Sequence, residues 1–207
     1  MMRELLRFSI EKGFREDNPV EHIKTMTTPP RTRYITDSEL RRIKFHAATP
    51  SGKRSRSGEM MAAIIDMAYL TGQRLGDLEA LTWDQFTSKG ITFETNKTGA
   101  KIMIVWTPKL QELKKKLIAL KTNDYYVLAQ SDGSRLKKSS ISRYWFNACI
   151  KARVDNAHFH DIRAKAITDK EEKEGLAAAQ HMGGHTTQQQ TSIYVRQFKH
   201  RTISATR

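Results

Sequence analysis

The side chains in this sequence that could do chemistry are Arg74, Lys97, His160, Arg163, His185 and Tyr194. A tyrosine phenol, with a free pKa near 10, becomes a nucleophile only if a base takes its proton or cations stabilise its anion. His160 and His185 are candidate bases. A guanidinium stays charged at working pH and donates two parallel hydrogen bonds, so Arg74 and Arg163 together suit one phosphodiester. Phosphoryl transfer needs positioning and charge stabilisation on the non-bridging oxygens more than it needs covalent help. A leaving alkoxide needs a proton, and a lysine on a turn, its pKa lowered by nearby arginines, can supply one, which fits Lys97. These types and this order point to attack by Tyr194 on a phosphate held by two arginines.

The elements that must position these groups are legible in outline. Apolar residues from Glu59 to Leu70 predict a helix buried on most faces, stopped by Gly72, so that Arg74 opens the next helical stretch. The strings Trp83 to Phe86, Ile91 to Glu94 and Lys101 to Trp106 predict a three-stranded antiparallel sheet, with Lys97 on the turn Asn96-Lys97-Thr98-Gly99. Leu110, Leu113, Leu117 and Leu120 predict an amphipathic helix, and Ser139 to Ala152 another. His160 and Arg163 share one face of a helix that Gly175 stops, followed by a short helix from Leu176 to Met182. Gly183 and Gly184 then turn the chain so that His185 reaches the site and Tyr194 follows on a short helix.

Composition adds the partner class. Lys and Arg number 36 against 22 Asp and Glu, a formal charge of +14, which favours a polyanion: DNA, RNA or an anionic membrane. The lone Cys149 excludes an internal disulfide and fits a reducing cytoplasm. No apolar run reaches the roughly 18 residues of a membrane span. The cations Arg31 and Arg33, in an extended segment with Pro29-Pro30, and Lys53, Arg54 and Arg56, in the glycine-bounded loop Ser51 to Gly58, are the expected backbone contacts.

Each assignment has a plainer rival. Arg163 could pair with Asp77 or Asp161 on an ordinary helix face. His158 rivals His160 but has no arginine three positions on, and Lys101 rivals Lys97 but begins a strand. Tyr194 could be a packing aromatic. His181 and His185 stand four apart as metal ligands would, yet the glycines between them disfavour the necessary helix and no cysteine or carboxylate cluster completes a shell. No metal is expected, and no other cofactor.

Taken in order, Tyr69-Leu-Thr-Gly-Gln-Arg74-Leu-Gly-Asp77, Asn96-Lys97-Thr98-Gly99, His160-Asp-Ile-Arg163, Gly184-His185 and Tyr194 resemble the motifs of the tyrosine recombinases, the phage integrase family. A methionine, Met182, stands near the Gly-His pair where a leucine is common. The resemblance spans about Thr36 to Arg196. It implies an α+β, mostly helical catalytic domain over 36–207, a linker over 25–35, and over 1–24 the end of a preceding core-binding domain. The implied activity is site-specific breakage and rejoining of double-stranded DNA through a 3′-phosphotyrosyl link, with no ATP required. Arg74 and Arg163 would hold the phosphate, Lys97 protonate the leaving oxygen, His160 transfer and orient protons, and His185 hydrogen-bond the phosphate, braced by Asp77. A homo-tetramer on DNA is implied, with a monomer in its absence, accessory DNA-bending or directionality proteins, and the tail Phe198 to Arg207 exchanged between neighbours. A type IB-like relaxing enzyme and an inert DNA-binding fragment are the alternatives.

Overall fold

In the computed structural model the described residues are 2–24, 29, 31–94, 99 and 101–195. The chain divides into two compact units, Met1–Arg31 and Thr32–Arg207. The first carries helix α1, Met2–Glu11, which buries none of its residues and leaves Leu5 and Phe8 exposed. Its closing turn folds back on itself: Arg3 donates to the carbonyls of Val20 and Ile23, and the Asn18 amide donates to the Arg3 carbonyl.

The second unit is built around α3, Arg56–Thr71, whose Met60, Met61, Ile64, Ile65, Met67 and Ala68 are all buried. Helix α2, Asp37–Ala48, packs against it, started by the Thr36/Glu39 capping box. After α3 come α4, Leu75–Glu79, and the strands β1, Gly90–Glu94, and β2, Lys101–Val105. Helices α5, Pro108–Ala119, and α6, Lys138–Ala152, close the core with Leu110, Leu113, Leu117, Ile141 and Trp145. Helices α7, His160–Glu174, α8, Leu176–Gly183, and α9, Gln188–Ser192, complete the order. Cys149 is buried, and burial pushes its thiol up to about 12, so it stays protonated.

Two local expectations are corrected. Among the described residues the sheet has two antiparallel strands, Gly90 facing Val105 and Glu94 facing Lys101, rather than three. Trp83–Gln85 forms a 3-10 turn because the Gln85 side chain accepts from the Thr82 backbone N–H (2.8 Å) and hydroxyl (3.0 Å), coiling a segment whose apolar pattern reads as a strand. Helix α3 also starts earlier than Glu59: Ser55 caps it by accepting from the Gly58 N–H at 3.1 Å. Gly58 therefore lies inside the helix, where a Cβ would come within 2.4 Å of the Ala48 carbonyl oxygen, so glycine allows α2 and α3 to touch.

Helix α7 is also held by a charge cluster around a buried lysine. Lys165 is fully buried, with Nζ 2.6 Å from Asp37, 2.9 Å from Asp169 and 3.0 Å from the Tyr34 hydroxyl. The Tyr34 and Tyr69 hydroxyls donate to the two Asp169 oxygens at 2.6 and 2.7 Å. Asp37, Tyr34 and Asp169 hold the Lys165 ammonium charged, pushing its pKa up against the opposing effect of burial, while burial and then Asp169 push the Tyr69 phenol up. Four segments (the approach to α2, its first turn, α3 and α7) thus meet on one ammonium.

Candidate active site

Asp161, in the first turn of α7, accepts from the His158 N–H at 2.8 Å, so its carboxylate fixes the helix start rather than pairing with Arg163. Arg163 is 2 % exposed and sits across two helix C-termini: Nη1 donates to the Gly72 carbonyl and Nη2 to the Gly183 carbonyl, each at 2.6 Å. Carbonyl ends of α3 and α8 are electronegative, which suits a buried cation. Nη2 also lies 3.1 Å from His185 Nε2. The Nε atom is buried with no hydrogen-bond partner among the described residues. Burial first, then Arg74, lowers the Arg163 pKa to about 10, with Tyr194 and Asp77 acting the other way, so the group remains cationic at neutral pH.

Arg74 reaches the same place from the other side of the turn. Gly72 ends α3 at a φ of 65°, and Gln73 donates to the carbonyls of Thr71 (3.1 Å) and Met182 (3.2 Å), which ties the turn to α8. Arg74 then caps α4 in extended conformation, half-buried, and its Nη1 is buried with no partner among the described residues. Two buried guanidinium N–H groups without protein acceptors, on arginines close enough to depress one pKa, call for an anion between them. Asp77, buried one turn after Arg74, is the nearby carboxylate.

His185 and Tyr194 arrive from α8 and α9. Gly184 closes α8 at a φ of 58°, and the His185 ring folds back so tightly that a Cβ on Gly183 would stand 2.7 Å from its Cε1. His185 is buried, with Nδ1 3.1 Å from Thr191 Oγ1. Burial, then Arg163, then Arg74 lower its pKa to about 4, so it is neutral at pH 7. The Tyr194 ring stacks on His185 (centroids 4.9 Å, 23°), lies 5.2 Å from Arg163 Cζ and 5.5 Å from the His160 ring. Thr168 of α7 holds the tyrosine backbone by donating to its carbonyl at 3.2 Å. Tyr194 is surrounded by cationic and imidazole groups of its own chain and not by apolar core.

The structure thus brings together Arg74, Asp77, His160, Arg163, His185 and Tyr194. Lys97, its turn, and the tail from Arg196 on lie outside the described residues, while Lys101 begins β2. Of the expected backbone contacts, Lys53 is exposed, but Arg54 pairs with Glu59 at 2.6 Å and Arg33 with Glu39 at 2.6 Å. Arg56 donates to the Leu120 carbonyl and to Thr122, tying α3 to the end of α5, and Arg31 falls in the first unit. Gln73, Thr168 and Thr191 position the site and carry no spacing signal that would single them out from other polar helix residues. Among the described residues no cluster of three or more metal-ligating side chains occurs, and no helix is long and apolar enough to cross a membrane.

Two arginines, two histidines and a tyrosine are gathered near the ends of α3, α7 and α8 on a mostly helical scaffold. That scaffold superposes on a lambda integrase in a tetramer bound to a Holliday junction, with a TM-score of 0.81 at 22% identity over 98% of this chain and 60% of that one. Residues 33–201 match the phage integrase family, and the chain belongs to it. It is 27% identical to the integrases of Enterobacteria phage 434 and Escherichia phage lambda, over 92% of this chain and 57% of each of those. The chain therefore spans a little over half the length of these relatives.

Proposed function

We propose that this chain is the catalytic portion of a site-specific DNA recombinase that cleaves and rejoins strands through Tyr194. The Tyr194 phenolate oxygen attacks a scissile phosphorus and the bond to the 5′ oxygen breaks, giving a 3′-phosphotyrosyl link and a 5′-hydroxyl. The phenol proton passes to His160, the ring beside it, and the leaving oxygen takes its proton from Lys97. Arg74 and Arg163 hold the non-bridging oxygens, and His185 hydrogen-bonds the same phosphate. Bond energy stays in the phosphotyrosyl link, so resealing needs no ATP. The observation that carries this reading is the pair of buried arginine donors, with the Tyr194 ring against one of them, Arg163.

The partner is double-stranded DNA in the cytoplasm. Lys53 and Arg31 are the backbone contacts this reading retains; Arg54 can join them only by leaving Glu59, whereas Arg33 and Arg56 are engaged within the fold. Residues 1–24 serve as the end of a DNA-clasping domain. Lambda integrase has been solved as a dimer on a core site and as a tetramer on a Holliday junction, which supports assembly of several copies on paired sites. In this reading the tail 198–207 is exchanged between neighbours, and accessory DNA-bending or directionality proteins assist.

The test uses nicked duplexes of random sequence, in which cleavage releases a short fragment and traps the covalent complex. Wild type should yield covalently bound strands enriched in a common sequence, and Tyr194→Phe none. DNA binding with no covalent strand from wild type, or equal yield from both, refutes the assignment.

A further inference from the structure

The hydrogen bonds around His185 fix where its single proton sits. Arginine nitrogens only donate, so the 3.1 Å contact from Arg163 Nη2 makes His185 Nε2 an acceptor. A neutral imidazole with a bare Nε2 carries its hydrogen on Nδ1, and that hydrogen points to Thr191 Oγ1 at 3.1 Å. The Thr191 hydroxyl in turn donates to the Thr187 carbonyl at 3.4 Å. Thr191 is fully buried, so no solvent replaces it. The backbone of His185 is already pinned: the Gln180 carbonyl accepts from the His185 N–H and the Gln180 amide donates to the His185 carbonyl, each at 3.1 Å. Only the two ring nitrogens are left to change partners.

A phosphate oxygen is an acceptor, so a His185 that stays neutral, as its lowered pKa favours, can bind one through Nε2 only as the opposite tautomer, with Nδ1 bare. A hydroxyl is the side-chain group that supports both, accepting from Nδ1–H in one state and, after one rotation away from Thr187, donating to Nδ1 in the other. The geometry points to Thr191 as the positioning residue of His185: when the tyrosine segment opens, water takes the Nδ1 proton and returns one to Nε2 with no net change in charge, and the Thr191 hydroxyl exchanges acceptor for donor role, so that the imidazole changes from acceptor of Arg163 to donor to the scissile phosphate. Because Thr191 lies three residues before Tyr194, the same hydroxyl couples the seating of the tyrosine segment to the state of the phosphate-binding histidine. The second half of this inference rests on the phosphate role given to His185 above; the first half does not.

Two measurements test it separately. Nitrogen-15 labelling of histidine and long-range proton–nitrogen NMR on the DNA-free chain, with His185→Gln for assignment, reads the tautomer directly. Wild type and Thr191→Ser should carry a hydrogen-bonded proton on Nδ1, and Thr191→Val, which keeps the shape without the hydroxyl, should shift the Nδ1 resonance because that proton has lost its acceptor. A wild-type proton on Nε2 overturns the inference with no variant needed, and so does an unchanged Thr191→Val spectrum. In covalent trapping on a nicked duplex recovered by selection, Thr191→Val should cleave on the order of tenfold more slowly, the cost of one buried hydrogen bond, with Thr191→Ser restoring the rate. Cleavage by Thr191→Val at the wild-type rate, or failure of Thr191→Ser to rescue, overturns the catalytic half. If wild type forms no adduct at all, the recombinase reading fails while the tautomer result still stands or falls alone.

Discussion

Acidification should loosen the tyrosine segment before it unfolds the rest of the catalytic unit. His185 is 8 % exposed, and its pKa drops from 6.5 to about 4, by burial first and then by Arg163 and Arg74. Its released form binds a proton more readily than its seated form. The seated form is therefore fully favoured above about pH 6.5, and this preference is lost as the pH falls toward 4. The drop from 6.5 to about 4 corresponds to about 3.4 kcal/mol, or roughly three-hundredfold in the opening equilibrium. Hydrogen–deuterium exchange of peptides covering 181–195, compared at each pH between wild type and His185→Gln, isolates the effect. Glutamine keeps an acceptor for Arg163 but does not titrate, and the intrinsic pH dependence of exchange is common to both proteins. Wild type should lose protection relative to the variant progressively below pH 6.5, while peptides from α3 stay alike. Parallel curves from both proteins in the 181–195 peptides would refute the reasoning.

Other substitutions probe separate contacts. Arg163→Ala should abolish detectable cleavage while non-specific DNA binding in filter assays persists; equal loss of both would make Arg163 only a binding residue. Gly183→Ala places a methyl against the His185 ring and should slow covalent trapping far more than it weakens binding, and unchanged trapping would mean that the ring position is not critical. Lys97→Ala should be rescued by a 5′-thiolate leaving group, which needs no proton; absence of rescue removes Lys97 as the acid. Lys165→Met leaves the partly buried Asp169 carboxylate between two phenols without its cation and should cost about 2 kcal/mol in urea unfolding. The added change Asp169→Asn should recover part of that loss, and no recovery would mean that the charge pair is not what Lys165 contributes.

Much of this site could be read from the chain because its reactive groups sit at helix ends marked by glycine. Gly72 sets Arg74, Gly175 closes the helix of His160 and Arg163, and Gly184 turns His185 inward. The expected third strand failed because Gln85 captured Thr82, a side-chain contact that competes with an apolar pattern no periodicity can weigh. The basic loop ends three residues before Gly58 because this glycine marks a helix crossing and not a turn. Arg33 and Arg56 looked like free cations since their partners, Glu39 and the end of α5, are set by tertiary folding. Lys165 and Thr191 were invisible for the same reason: neither type nor spacing announces a buried ammonium or a hydroxyl facing a histidine.

The central claim is that Tyr194 becomes bonded to DNA. Digesting the trapped complex with protease and nuclease and sequencing the modified peptide by mass spectrometry tests it most directly. The account predicts a nucleotide 3′-phosphate on Tyr194, with a free 5′-hydroxyl on the released strand. A nucleotide on any other residue, or a 5′-phosphate link, would contradict it.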